Sequence, residues 1–264
     1  MATRLEIVGG GRMGEALVTG LVHAGWATPD EIVVVEPVAA RREQLAARFP
    51  GLGLADAAAG AEGAVLAVKP ADAEVACRAI AAAGAGRVLS IMAGVPTARL
   101  QQWLGDGVPV VRAMPNTPAL IGAGAAAIAA GTSAGDDDLD WAEGILTAVG
   151  VVQRVPETLL DAVTGLSGSG PAYVFLVAEA LIEAGVLNGL SRPAANVLAI
   201  QTLVGSARLL AESGDTPEGL RAAVTSPGGT TAAGLRVLEN HGVRGAFLEA
   251  VTAATERSRE LGQA

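Results

Sequence analysis

Four kinds of side chain are nearly missing from this chain of 264 residues: it has one cysteine, two histidines, one lysine and few aromatics. The single cysteine, Cys77, excludes an internal disulfide and fits a reducing compartment. It reads as a small buried apolar residue on a helix. So little His and Cys leaves no donor set for a metal centre, and none is expected. Aromatic residues make up 3% of a chain that is 51% hydrophobic, so the core must be built from Ala, Val and Leu. A formal charge of −9 with no basic cluster argues against nucleic acid and anionic membrane surfaces as partners. The chain runs from its first residues straight into a strand pattern, without signal-peptide character. Residues 113–135 carry no charge, but their prolines, glycines and hydroxyls predict a loop plus strand rather than a membrane helix. These features together predict a soluble, cytoplasmic protein.

What is present begins at once. Leu5–Val8 is a short apolar strand, and it runs into Gly9, Gly11 and Gly14 in the pattern G-x-G-x-x-G, with Gly10, Arg12 and Met13 between them. Ala16, Leu17, Gly20, Leu21 and Ala24 then repeat at helical spacing, and Gly25 fits the helix stop. In a strand–turn–helix of this kind each glycine has a task. Gly9 makes the turn, Gly11 lets a pyrophosphate reach the backbone, and Gly14 lets helix and strand pack closely. The helix N-terminus supplies unpaired N–H groups and a positive dipole end. The reading is dinucleotide binding at the turn of residues 9–14.

Ile32–Val35 is a continuous β-branched run, as a fully buried parallel strand should be. It ends at Glu36, where an acid accepts from the ribose of NAD and repels the 2′-phosphate of NADP. Arg41 and Arg42 follow and could pair with that phosphate, or simply form a solvated helix face. The two signals conflict, and NADPH or NADH both stand. Residues 64–68 form the next strand, ending in Val68, and Lys69 closes it as the only lysine beside 17 arginines. A lone lysine at the carboxyl end of a central strand sits where ligands bind in open α/β sheets. Further strands are expected at 88–92, followed by Ala93, and at 108–112, followed by the loop that holds Asn116. Strands at 125–130 and 149–154 add a far edge, with a helix at 137–148 between them. The pattern predicts an α/β fold with a doubly wound, Rossmann-type parallel sheet in residues 1–155.

After residue 155 only helical patterns remain, at 172–187, 192–212, 217–224, 231–240 and 243–261. The first is apolar on nearly every side and must be buried, which a small helical domain of residues 156–264 cannot do alone. A dimer with a helical interface is therefore expected. Two glycine-rich loops, 164–171 and 225–231, precede helices there. Each offers a carboxylate-sized anion cradle, with close helix packing as the alternative.

With those motifs in view, the chain resembles the Δ1-pyrroline-5-carboxylate reductases. The resemblance rests on residues 9–14, 68–70, 90–95, 112–118 and 161–175, and above all on 224–239. It implies an N-terminal Rossmann domain followed by an all-helical dimerisation domain, and reduction of the cyclic imine 1-pyrroline-5-carboxylate to L-proline with NADPH or NADH. It places the active site between one subunit's cofactor and the interleaved helices of both, in a homodimer open to higher assembly. Val8, Gly9, Gly10, Gly11, Arg12, Met13 and Gly14 would hold phosphates. Glu36 would meet the ribose, and Val68, Lys69, Ala93 and Asn116 would line the rest of the cofactor site. Gly228, Gly229 and Thr230 would take the substrate carboxylate, Thr231 would serve catalysis at the ring nitrogen, and Glu157 would contact substrate. Glu36, Ala223 and Met92 each depart from a residue that some members carry. His23 and His241 fall outside every motif and are expected to be structural. A β-hydroxyacid-type dehydrogenase would need a lysine after the sheet, and there is none beyond Lys69. A non-catalytic dinucleotide sensor would have no reason to keep the loop at 226–231.

Overall fold

The computed structural model describes residues 3–263. The chain alternates strand and helix, except that β4 follows β3 directly, through β1 (Leu5–Val8), α1 (Arg12–His23), β2 (Ile32–Val35), α2 (Ala39–Arg48), β3 (Gly53–Ala55), β4 (Gly63–Leu66), α3 (Ala73–Ala83), β5 (Val88–Ser90), α4 (Thr97–Leu104) and β6 (Val110–Met114). β7 (Gly124–Ala130), α5 (Asp136–Thr147) and β8 (Gly150–Arg154) complete one eight-stranded sheet, ordered β3-β2-β1-β4-β5-β6-β7-β8. Every neighbouring pair is parallel except β6 and β7. No α-helix separates those two strands, only the short 3-10 turn Thr117–Ile121, and the chain returns antiparallel. Side chains alternate across the sheet and feed two cores. One joins Leu5, Ile7, Leu89 and Ile128 to Leu17 of α1 and Ile145 of α5. The other joins Val8, Val35 and Leu66 to Ile80 of α3 and Leu100 of α4.

The strand order places a crevice. From β1 the chain moves outward one way to β2 and β3, and the other way to β4 and β5. Loops leaving the carboxyl ends of β1 and β4 therefore diverge, and ligands of open α/β sheets bind at that opening.

The last strand ends at Arg154, and Leu160 of α6 (Leu160–Val163) is fully buried against Ala127 and Ala129 of β7. A π-helical turn, Thr164–Gly168, follows. Packing divides the chain after Ser169: the first compact unit also takes the segment from Thr252 onward, and the second is Gly170–Val251. Within the first unit, the Ser258 hydroxyl donates to Asp161 Oδ1 at 2.6 Å, tying that returning segment to α6.

The second unit is helical: α7 (Gly170–Leu187), α8 (Arg192–Glu212), α9 (Pro217–Ala223), α10 (Thr230–Asn240) and the first turns of α11 (Val243–Gln263). Ser191 and Thr216 cap α8 and α9 by accepting the N–H groups of Ala194 and Gly219. α7 and α8 approach closely, with Gly185 facing Ala195. No residue of α7 is buried in the single chain, although Phe175 is 61% exposed and Leu187 86%. Two helical stretches, Glu157–Leu187 and Arg192–Glu212, are long and apolar enough to cross a membrane by length and composition.

Candidate active site

The nucleotide cradle is built on the β1–α1 turn. Gly9 has φ +112°, and a Cβ there would lie 2.5 Å from the carbonyl oxygen of Ala67. A Cβ on Gly14 would stand 2.1 Å from the carbonyl of Gly9. Gly11 is the opposite case, with nothing within 4 Å of the place where its Cβ would be. Gly11 is also the N-cap of α1, and no side chain caps that helix. Its first-turn N–H groups thus face open space and can receive an anion. Arg12 is exposed beside them, while Val8 is buried and Met13 partly so. This arrangement fits dinucleotide phosphates, as the motif predicts.

The conflict at the ribose position now has a geometry. Glu36 leaves the end of β2 and is held by two backbone donors: the Gly10 N–H reaches Oε2 at 3.1 Å and the Val38 N–H reaches Oε1 at 3.0 Å. Arg41 donates to the Gly10 carbonyl at 2.7 Å and pairs with Glu15. Arg42 donates to the carbonyls of Glu36 and Pro37, at 2.6 and 2.9 Å. Both arginines are engaged with the protein itself, and the carboxylate is what stands beside the glycine loop.

On the other side of β1, the N–H of Ile91 reaches the Leu66 carbonyl at 3.1 Å, tying the ends of β5 and β4 together. Lys69 is exposed and Val68 half-buried. Ala93 is exposed between buried Met92 and Val95, so the loop of residues 91–96 turns its backbone outward there. Asn116 is less available than the motif suggests: its amide donates to the Ser167 carbonyl at 3.0 Å, and its oxygen accepts the Ala125 N–H at 2.9 Å. Its side chain joins the loop after β6 to the π-helical turn.

Glu157 is likewise committed within the first unit. Oε1 accepts the Thr97 N–H at 2.8 Å and Arg112 Nη1 at 3.1 Å, and Oε2 accepts the Thr97 hydroxyl at 2.5 Å. Burial pushes this carboxyl up, but the hydrogen bonds from Thr97 and Arg112 outweigh it and hold the acid below the ordinary glutamate value. Sequence reading missed this cluster as a cluster. The signal was present: an arginine inside the apolar run Val110-Val111-Arg112-Ala113 requires a buried partner.

In the second unit, α9 ends and residues 225–229 turn into α10. Gly228 has φ +69°, and the Gly229 N–H donates to the Ser226 carbonyl at 3.0 Å. Gly229 is the N-cap of α10 and no side chain caps it, so the helix opens with Thr230 exposed and Thr231 half-buried. The start of α10 thus has no side-chain cap at the place where Gly228, Gly229 and Thr230 stand. The other glycine-rich loop is not the anion cradle that its composition predicts. Residues 164–168 continue the helix as a π turn, and the Ser169 N–H is bonded to the Thr164 carbonyl at 2.8 Å. The hydroxyls of Thr164 and Ser167 bond back to the carbonyls of Leu160 and Val163, at 2.9 and 3.1 Å. The glycines there permit the wide turn rather than opening a helix start.

His23 sits exposed in the last turn of α1, and His241 is the C-cap of α10. Cys77 is fully buried, and burial pushes its thiol up to about 12, which leaves it an inert packing residue.

Known proteins match along the full length. Residues 157–261 fit the pyrroline-5-carboxylate reductase dimerisation family, and residues 4–94 fit the family described as NADP oxidoreductase, coenzyme F420-dependent. A pyrroline-5-carboxylate reductase of Synechocystis sp. is 48% identical over 270 residues, covering 100% of both chains. One from Mycobacterium tuberculosis is 45% identical, covering 98% of this chain and 96% of its own. Among solved structures, the enzyme from Coxiella burnetii superposes with a TM-score of 0.93 at 36% identity, covering 99% of each chain. The Plasmodium falciparum enzyme, solved with NADP bound, gives 0.86 at 31% identity, covering 98% of each. On sequence and on fold alike, this chain belongs to the pyrroline-5-carboxylate reductase family.

Proposed function

We propose that this protein reduces 1-pyrroline-5-carboxylate to L-proline, the last step of proline biosynthesis, with a reduced nicotinamide dinucleotide. One observation carries the reading: a single chain combines the β1–α1 phosphate cradle with the uncapped, glycine-lined start of α10. When bound, the dinucleotide supplies the hydride that adds to the imine carbon. The protein's task is mainly to hold two flat rings face to face at about 3–3.5 Å. The backbone of Gly228, Gly229 and Thr230, at the uncapped start of α10, takes the substrate carboxylate. The Thr231 hydroxyl hydrogen-bonds the ring nitrogen and keeps its proton in place. Residues 8–14 bind the phosphates, and Lys69, Val68 and Ala93 line the nicotinamide side. Glu36, fixed beside Gly10, favours a free 2′-hydroxyl and so disposes the site toward NADH.

The working unit is a homodimer in the cytoplasm, with the apolar faces of α7 and α8 covered by a second copy rather than by lipid. The test is direct: purified protein should oxidise NADH or NADPH, read at their absorbance, when given the five-membered imine. Cofactor binding without turnover on that imine would instead favour a sensor. Thr231→Ala should cost about 100-fold in kcat/KM while leaving dinucleotide affinity within about twofold. Equal losses in both would make Thr231 a structural residue.

A further inference from the structure

α4 begins with a problem that its own sequence cannot solve. Its N-cap is Pro96, which has no side-chain oxygen to offer, and no local side chain caps the helix. The Thr97 N–H and hydroxyl are instead received by Glu157, 60 residues further along the chain, at 2.8 and 2.5 Å. The carboxylate meets the positive end of α4 and also pairs with Arg112 of β6, whose side chain is only 8% exposed. Three elements meet at this acid: the start of α4, the middle of the sheet and the turn after β8.

The loop that ends at this cap is residues 91–96. Its first residue is tied to the end of β4 through Leu66, and Met92 and Val95 are buried. Gly94 at φ +73° forms the bend, and a Cβ there would stand 3.5 Å from Leu261 of the returning α11 segment. Ala93 is thus exposed on a loop fixed at both ends, and Glu157 supplies the far anchor. With both oxygens committed inside the first unit, this acid is better placed to hold the loop than to touch substrate.

We infer that Glu157 is a positioning residue for the nicotinamide-side loop: by capping α4 through Thr97 and neutralising Arg112, it sets where Ala93 stands. The inference rests on the functional reading above for the role of that loop, but its test does not depend on turnover. The adenosine half of a dinucleotide would be held by residues 9–14 and Glu36, which the anchor does not touch. Loss of the anchor therefore weakens the whole dinucleotide and spares the half.

Binding is measured on the purified full chain by fluorescence titration with NADH and NADPH, and by competition with ADP, which lacks nicotinamide. Glu157→Gln should raise the dinucleotide Kd about tenfold, leave the ADP Kd within about twofold, and leave the imine KM at saturating cofactor nearly unchanged. Glu157→Asp should recover part of the loss. Where Glu157→Gln does not fold, Thr97→Val keeps the Arg112 pair and should show the same selective loss at smaller size. Equal weakening of ADP and dinucleotide, or no weakening of either, would reduce the cluster to general stability and overturn the inference. A raised imine KM with cofactor affinity intact would also overturn it, and would return Glu157 to the substrate. Wild-type protein that binds dinucleotide but turns nothing over would sink the functional reading while leaving this one measurable.

Discussion

Single residues here decide between ligands that differ by one group. Glu36 is the clearest case, because the protein has already fixed its carboxylate with the N–H groups of Gly10 and Val38. A 2′-phosphate brought to this position meets a negative charge, while Arg41 and Arg42 are occupied with Glu15 and with backbone carbonyls. Glu36→Ser should therefore shift the ratio of kcat/KM for NADPH over NADH upward by roughly tenfold or more, with turnover itself little changed. An unchanged ratio would mean the ribose is read elsewhere. Glu157 gives a second residue-scale expectation, this one in pH. Its folded pKa is depressed, so its contribution to stability is full above the unfolded value of about 4.3 and is lost as pH falls through the folded value. Thermal unfolding of wild type and Glu157→Gln should thus differ by on the order of 2 kcal/mol near neutrality. The two curves should converge as pH drops below about 4. A gap that stayed constant down the acid range would exclude the charged pair as its source.

At the scale of elements, the β1–α1 turn separates two jobs that glycines do. A Cβ at Gly14 would strike the Gly9 carbonyl at 2.1 Å, backbone against backbone, so Gly14→Ala should lower stability by about 1–3 kcal/mol and weaken cofactor binding as well. Gly11 has open space where its Cβ would stand, so Gly11→Ala should leave the melting temperature nearly unchanged and still weaken the dinucleotide about tenfold or more. Parallel changes in both variants would contradict the division. That turn was legible from the sequence because its spacing encodes the geometry. The buried strands were legible because burial on both faces leaves continuous apolar runs, as in Ile32–Val35. β3 was not, since Gly53–Ala55 is three half-buried residues at a sheet edge and has no apolar run to betray it. The reversal at β7 was missed as well, although the short connection between residues 114 and 124, with no α-helix in it, is too brief for the usual crossover. The loop at 164–168 read as a helix start because glycine and hydroxyl composition is shared by caps and by wide helical turns. Only the backbone bond from Ser169 to Thr164 tells them apart. The Glu157 cluster was illegible as geometry because its members lie 60 and 45 residues apart.

For the whole molecule, the decisive fact is an apolar helix that the single chain leaves exposed. α7 has 18 residues and none is buried in the single chain; Phe175 and Leu176 are 61% and 65% exposed, and Val197 and Leu198 of α8 are 66% and 56% exposed. Leaving such a surface in water forfeits about 25 cal/mol for each Å² of apolar area, so something must cover it. Length and composition alone would allow lipid. Yet the same stretch lies within residues that fit a dimerisation family, and α7 carries Glu179 and Glu183 while α8 carries Arg208 and Glu212. Charges at these positions suit a helical interface with a wet rim better than a bilayer core. Detergent-free protein should therefore sediment at twice the chain mass or an even multiple of it. Replacing both Phe175 and Leu176 by Glu should yield monomer and abolish imine reduction. The variant should still bind dinucleotide within about twofold of wild type, because residues 9–14 belong to the other compact unit. A wild type that sediments as monomer, or that requires detergent to stay in solution, would overturn the dimer and reopen the membrane.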